Sequence, residues 1–448
     1  MLIQLQIQNF RSFKDKTTFT TIQGNVKRFD HHVYEHPLGL KILKTSGIYG
    51  ANGSGKTNLM LSLYYLKKWL KDPEFLDTTE GIKFFTPFLL DKSYKNKSTH
   101  FEIDFAVEQS VFTYSVQVDI IKKIILEEKL IKNNGVKELL VFDRSFNNND
   151  QSINLYYPTD PSYNPNNDPY ILSKLNNNTL FLSEHYFRND MCEEAFNWFD
   201  KKIEFLFPIY DFNDIAYMFN LRPEYLTLAN DIIKISNVGI DKLDISKISL
   251  NEYLGLKDKE LARRITSILQ ISDEEFYSFK DSLGNYCSAI QEVDGQINVI
   301  KLVCYHKDNS GELVPFDVDQ ESRGTIVLLH LIPALLRSYG EGINYFLDDI
   351  NTSLHPILLK EILGQYLSLN LGAAKGQLIF NSHEDFLMDE RIIRQDELWL
   401  MEKNNNASTI FPLSDFDVRF DLNYKKNYLN GKFGGVPFTE QPQKINFG

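Results

Sequence analysis

The chain has 448 residues, 43% hydrophobic and 24% charged, with a formal net charge of −12. This length suits roughly three average domains, and the composition suits a globular protein with a sizeable core. The acidic balance argues against a surface coated in nucleic-acid-binding charge but leaves room for a local basic groove, while the three cysteines, Cys192, Cys287 and Cys304, form no CxxC pair and so argue against a disulfide framework or zinc site.

From Met1 to Phe10, apolar and polar residues alternate, the pattern of a half-buried strand and not of a signal peptide. No apolar run approaches the ~20 residues that span a bilayer. With the unpaired cysteines this makes a cytoplasmic protein the expectation. A strand, a turn and a second strand lead to a glycine-rich loop, and Asn58 to Lys71 carries the helical spacing expected after it. Alternation from Phe101 to Asp119 and from Leu139 to Phe142 predicts an antiparallel layer. The stretches Asn147–Asp150 and Pro161–Pro169 read as loops.

Residues 190–290 read as mostly helical, with segments at Glu193–Trp198 and Asp258–Leu269, and strand character returns at Gln296–His306. The last third alternates: helix 325–337, which Pro333 should kink, strand 343–348, helix 356–369 and strand 377–381. That rhythm implies a parallel sheet with helices on its faces. There is no internal repeat, and no heptad run long enough for an extended coiled coil.

Gly50-Ala-Asn-Gly-Ser-Gly-Lys-Thr57 satisfies the phosphate-loop pattern G-x-x-x-x-G-K-[ST] in full. Gly50, Gly53 and Gly55 let the backbone wind tightly enough to aim successive N–H groups at phosphates, with Asn52 and Ser54 between them. The helix that follows adds its positive end. Lys56 would neutralise the β/γ-phosphates of ATP and the Thr57 hydroxyl would ligate Mg²⁺.

Ile343 to Asp349 is an apolar strand ending in two carboxylates. Asp348 would hold the Mg²⁺ shell. Asp349 stands where a general base orients or deprotonates the attacking water; standing alone, the stretch would read better as a buried strand followed by a solvated acidic turn. Glu321-Ser-Arg-Gly-Thr325 leads into a helix, so Ser322 and Gly324 offer a hydroxyl and bare backbone at a helix N-terminus. Pro356 is well placed as the first residue of the next helix. Leu378 to His383 is a strand ending in a histidine, placed to bond a γ-phosphate or its attacking water.

The order of these motifs resembles that of an ABC/SMC-type ATPase head. The chain is similar to the AAA-type, ABC-like ATPases of bacterial anti-phage and abortive-infection operons. That group includes the ATPase subunit of PARIS two-component defence and overcoming-lysogenisation-defect-like ATPases, with the SMC/RecF heads as relatives. Ile7–Phe13, Ile393–Lys403 and Tyr428–Phe438 resemble further segments of the group.

The resemblance implies an α/β head, mostly parallel sheet with helices on both faces plus an antiparallel β layer. Its N-terminal lobe would span 1–160, a mainly helical insertion or lid 161–295, and its C-terminal lobe 296–448. It also implies that Arg11 and Asn58 join the loop residues in holding nucleotide, and that Ser322, Gly324 and Thr325 form a signature acting in trans. Ser353 would lie in the D-loop, and His383 would be the switch histidine. Composite sites of this kind imply a head-to-head dimer around two ATPs. Relatives usually carry Glu where this chain has Asp349, so hydrolysis is expected to be slow. The glutamine-loop residue is not assigned.

Other clusters read more plainly. Asp30, His31, His32 and His36 read as a polar loop in preference to a metal site. Cys304 and His306 share one face of a strand and read as packing. Asp415, Asp417 and Asp421 fit a half-exposed strand better than a divalent site. No metal-nuclease or nucleophile motif is present, so a toxic effector, if there is one, is expected to be encoded separately, and a phage-encoded trigger would act on the lid. The rival readings are a RecF/SMC-like DNA-clamping ATPase and a module that binds ATP without hydrolysing it.

Overall fold

The computed structural model describes residues 1–158, 168–207, 215–255, 258–271, 275–281, 286–368, 374–416 and 423–436. The chain divides into two compact units. The first comprises Met1–Phe207, Ser338–Ile350 and Gly364–Gly448; the second comprises Pro208–Arg337 and Asn351–Leu363.

Among the described residues the first unit holds two large sheets and a two-stranded ribbon of Val33–Glu35 and Lys41–Leu43. One is a six-stranded sheet in the order Ile203–Leu206, Asn344–Leu347, Leu378–Ser382, Thr45–Gly50, Leu398–Asn404, Ala407–Pro412. The first five strands are parallel, and the last pairs antiparallel with its neighbour. Every residue of Thr45–Gly50, Asn344–Leu347 and Leu378–Ser382 is buried, which is why these strands lack the polar–apolar alternation of a half-solvated sheet. The other sheet has seven antiparallel strands, in the order Ser152–Tyr156, Glu138–Asn147, Ile124–Asn133, Ser110–Asp119, Thr99–Val107, Leu2–Gln8, Thr17–Thr20. It is the antiparallel layer the alternation predicted.

One apolar cluster joins both sheets to the helix Lys56–Lys71. Leu59, Met60, Leu63, Leu66 and Trp69 of the helix share it with Phe101, Ile103 and Phe105 of one sheet and Phe346, Ile379 and Met401 of the other. A buried amide bonds the sheets as well as packing does. Gln377 accepts from Leu2 N at 2.6 Å and donates to the carbonyls of Leu2 and Leu43, each at 2.9 Å. Both lobes of this amide are thus satisfied where water cannot reach.

The expected boundaries at 160 and 295 shift in the folded chain. Helix Asp190–Lys201 belongs to the first unit because Cys192, Ala195, Trp198 and Phe199 fill its core, and Ile203–Leu206 is an edge strand of its parallel sheet. Residues 296–337 belong to the second unit because Ile297–Lys307 is the spine of that unit's own sheet.

This sheet runs Lys242–Ser249, Ile297–Lys307, Tyr286–Gln291, Phe276–Lys280, with Leu313–Asp317 also pairing to Ile297–Lys307. It adds strands to a region whose sequence suggested helices. The helices are there too, at Ile215–Leu221, Pro223–Ser236, Leu250–Leu254 and Lys259–Ile271. Leu250, Leu254, Ile265 and Leu269 pack on Phe279, Cys287 and Val299. Helix Arg323–Glu341 continues through Pro333. No helix among the described residues is long and apolar enough to cross a membrane.

Candidate active site

Strand Thr45–Gly50 delivers the glycine-rich loop, and helix Lys56–Lys71 departs from it. The helix starts on Gly55, has no side-chain cap and carries no acidic residue in its first turn. Its first N–H groups and positive dipole end are therefore left without a side-chain acceptor, the arrangement that suits an anion. Gly53 and Gly55 take φ of 77° and 113°. A Cβ on Gly55 would fall 2.2 Å from Ser408 Oγ and 2.8 Å from Ser12 Oγ, so only glycine fits. Those two serines brace the loop. Ser408 N donates to Ser12 O at 2.8 Å, and Ser408 Oγ donates to Ser54 O at 2.5 Å.

Lys56 is buried, and its Nζ donates to the carbonyls of Gly50 at 2.7 Å and Ala51 at 3.1 Å. Burial lowers its pKa to about 8, against the pull of Asp349 and Asp348. The Thr57 hydroxyl lies 2.9 and 3.2 Å from the two carboxylate oxygens of Asp348. Burial raises the Asp348 pKa, with hydrogen bonds from Asn381 and Thr57 opposing the shift. A hydroxyl and a carboxylate are the hard oxygen donors that Mg²⁺ takes from a protein when substrate phosphates complete its shell. Among the described residues no group of three or more His, Cys, Asp or Glu side chains is arranged to hold a metal ion unaided, and a site completed by phosphates needs none.

Strand Leu378–Ser382 lies between the phosphate-loop strand and the carboxylate strand. It brings Asn381 to both aspartates, to the carboxylate of Asp348 and the backbone N–H of Asp349. Asn381 Nδ2 donates to Asp348 Oδ1 at 2.5 Å, and its Oδ1 accepts from Asp349 N at 2.8 Å. Asp349 has φ of 52°, a left-handed conformation that aspartate tolerates better than most residues. Its Oδ1 is 2.7 Å from His383 Nε2. Gly50, Ala51, Asn52 and His383 line a cavity of about 440 Å³ together with Tyr428 and Val436.

Two residues implied by resemblance bond within the chain itself. Arg11 donates from Nη1 to Phe84 O at 3.0 Å and from its backbone to Thr86 O at 2.9 Å. Asn58 donates to Ser12 Oγ at 2.8 Å. In the second unit, Ser322 Oγ accepts from Thr325 N at 3.2 Å and lies 2.9 Å from Thr325 Oγ1, so Ser322 caps helix Arg323–Glu341. A Cβ on Gly324 would meet Ser353 O at 2.7 Å, so the turn at Gly324 lies close against Ser353. Ser353 itself has φ of 65°.

The sequence reading missed Asn381, Ser12 and Ser408. Asn381 was findable: it stands near the end of the apolar strand Leu378–Ser382, just before His383. The serines carry no such signal, because they act through chain distances of tens to hundreds of residues. Of the clusters read plainly, His32 is buried, with Nδ1 at 2.9 and 3.1 Å from the buried Glu397 carboxylate, and is part of the core. Asp415 ends a short turn at Leu413–Asp415, while Asp417 and Asp421 lie outside the described residues.

No curated protein matches the chain significantly. Among solved structures, the SMC head domain from Thermotoga maritima matches at 12% identity, covering 92% of this chain and 98% of its own, with a TM-score of 0.35. An SMC head bound to the C-winged helix domain of ScpA matches at 13% identity, covering 92% and 96%, with a TM-score of 0.36. An SMC head with an extended coiled coil, bound to the C-terminal domain of ScpA derived from Pyrococcus furiosus, matches at 12% identity, covering 92% and 97%, with a TM-score of 0.35. The sequence profile of one family spans residues 46–389, from the phosphate-loop strand to beyond the strand–histidine tip, and so takes in most of the chain. The chain belongs to that family, described as "AAA domain, putative AbiEii toxin, Type IV TA system".

Proposed function

We propose that this chain is an ATP-binding and slowly hydrolysing sensor and scaffold of an anti-phage defence system, comparable to the ATPase subunit of PARIS-type defence. It would control a separately encoded toxic effector such as a nuclease. The observation that carries the ATPase part is the chain of contacts Thr57–Asp348–Asn381–Asp349–His383. The family's description, which names a toxin and a toxin–antitoxin system, supports the defence part.

In this reading the loop N–H groups and Lys56 hold the phosphates, and Thr57 and Asp348 hold Mg²⁺. The ion would supply Lewis-acid polarisation of the phosphoryl oxygens. Asn381 fixes the Asp348 carboxylate and the backbone of Asp349, and the Asp349–His383 pair orients the attacking water. The Asp349 carboxylate is short and already engaged by His383, so it reaches water poorly and turnover is slow. Ser322, Gly324, Thr325 and Ser353 of a second copy would complete each site, making the ATP-bound form a dimer or larger oligomer. A phage-encoded trigger would bind one nucleotide state preferentially and shift the population.

The test is copurification of the chain with its genomic neighbours in ATP and Mg²⁺, beside Lys56→Ala. The expected result is a complex with an effector, larger than a dimer, lost in Lys56→Ala together with protection from phage. A chain that elutes alone and binds DNA in an ATP- and salt-dependent way would replace this reading with a DNA clamp.

A further inference from the structure

Cys304 and His306 stand two apart on strand Ile297–Lys307, so both side chains leave one face of the sheet. From spacing alone they read as packing. In the folded chain they converge on one carboxylate, that of Glu321, the residue just before the signature serine.

His306 Nε2 lies 2.6 Å from Glu321 Oε1, and Nδ1 lies 2.8 Å from the carbonyl oxygen of Gly239. A carbonyl only accepts, so Nδ1 carries a proton, and the ring bridges the Gly239 turn to Glu321. The contact to the carboxylate is a short, charge-assisted kind. The Cys304 thiol is buried beside the same carboxylate; burial, with the Glu321 charge adding to it, pushes the thiol up to about 12, so it stays protonated. Phe316 packs edge-on to the His306 ring at 4.9 Å between centroids. The Glu321 side chain is only 8% exposed, so losing its partner would leave an unsatisfied carboxylate.

The turn that follows has little freedom of its own. Ser322 is tied to Thr325, and Gly324 has no space under Ser353 O. The remaining point of adjustment is Glu321.

We propose that His306, supported by Cys304, is a positioning residue: through Glu321 it sets the Ser322–Gly324 turn against the γ-phosphate of ATP bound by a second copy of the chain. This rests on the reading of that turn as a contact made in trans. The same bridge ties the turn to the sheet of the second unit, so a ligand that moves this sheet would move the signature with it.

The experiment is ATP turnover across ATP concentrations, with ATP-dependent self-association by sedimentation, on the full chain and three variants. Ser322→Asp keeps a good helix cap but sets a negative charge against phosphate, and is expected to lose both turnover and self-association. His306→Phe keeps the packing on Phe316 but removes both ring nitrogens. Its kcat and ATP-dependent self-association are expected to fall roughly tenfold while KM stays within about twofold, because the chain's own phosphate loop is untouched. His306→Gln retains a donor toward Glu321 and should recover most of the loss. Wild-type kcat and self-association in His306→Phe, with Ser322→Asp inactive, would overturn the positioning role alone. Wild-type behaviour in Ser322→Asp would remove the trans reading and the proposal with it.

Discussion

Two helices of this protein begin at residues proposed to touch phosphate, and they begin in opposite ways. Helix Lys56–Lys71 starts on a glycine, with no side chain accepting from its first N–H groups. Helix Arg323–Glu341 starts on Ser322, whose hydroxyl already accepts from Thr325 N. The first end keeps its donors for a ligand and adds a buried lysine. The second satisfies its own backbone and has one hydroxyl proton left to give. Nucleotide affinity should therefore reside almost wholly at Lys56–Lys71, with the Ser322 turn adding contacts only after nucleotide is held. The two regions are also braced differently: Ser12 and Ser408 hold the loop through hydroxyl and backbone contacts, whereas a histidine–carboxylate bridge holds the turn.

The sharpest way to break this contrast is Asp348→Asn. Binding of ATP without Mg²⁺ should stay within about threefold of wild type, because the loop donors remain. Mg²⁺-dependent turnover should fall roughly 100-fold or more, because one charged oxygen ligand and its electrostatic contribution are gone. Equal losses of binding and turnover, measured by titration and phosphate release, would mean that Asp348 holds the loop together instead of the metal.

A second contrast concerns acid. His185 in the first unit and His330 on the helix that Ser322 caps are both buried. Burial lowers both pKa values from 6.5 to about 4. Between those values the unfolded chain binds protons that the folded chain refuses, so stability is full above pH 6.5 and falls as pH drops toward 4. The slope is about 1.4 kcal/mol per pH unit for each histidine. Melting curves at pH 7 and pH 5 should show this loss, and His185→Phe and His330→Phe should each remove part of it. A melting temperature indifferent to this interval would contradict the burial assigned to both rings.

The smallest effect is expected at Asp349. Lengthening it to Asp349→Glu should raise turnover by roughly 3- to 10-fold if the short carboxylate limits the approach to water. Wild-type turnover equal to or above that of the variant would show that the Asp349–His383 pairing, and not reach, sets the rate.

The site was legible in proportion to how local its chemistry is. A phosphate loop needs glycines, a lysine and a threonine within eight positions, and Asp348 closes an apolar strand, so these residues announce themselves. Asn381 was half-legible, standing near the end of the apolar strand just before His383. Gln377, Ser408 and the His306–Glu321 bridge were not legible, because each depends on which distant strands become neighbours. The second unit shows the same limit in its fold: Ile297–Lys307 looked like the start of the closing lobe, and only its pairings with Lys242–Ser249 and Tyr286–Gln291 place it in a separate sheet.

The measurement closest to the central claim is a calorimetric titration of ATP into the full chain and into Lys56→Ala. The account predicts one nucleotide per chain for the wild type and binding at least roughly 100-fold weaker in the variant, the loss expected when a buried, charged phosphate contact worth about 3 kcal/mol is removed. No binding by the wild type, or equal binding by both, would contradict it.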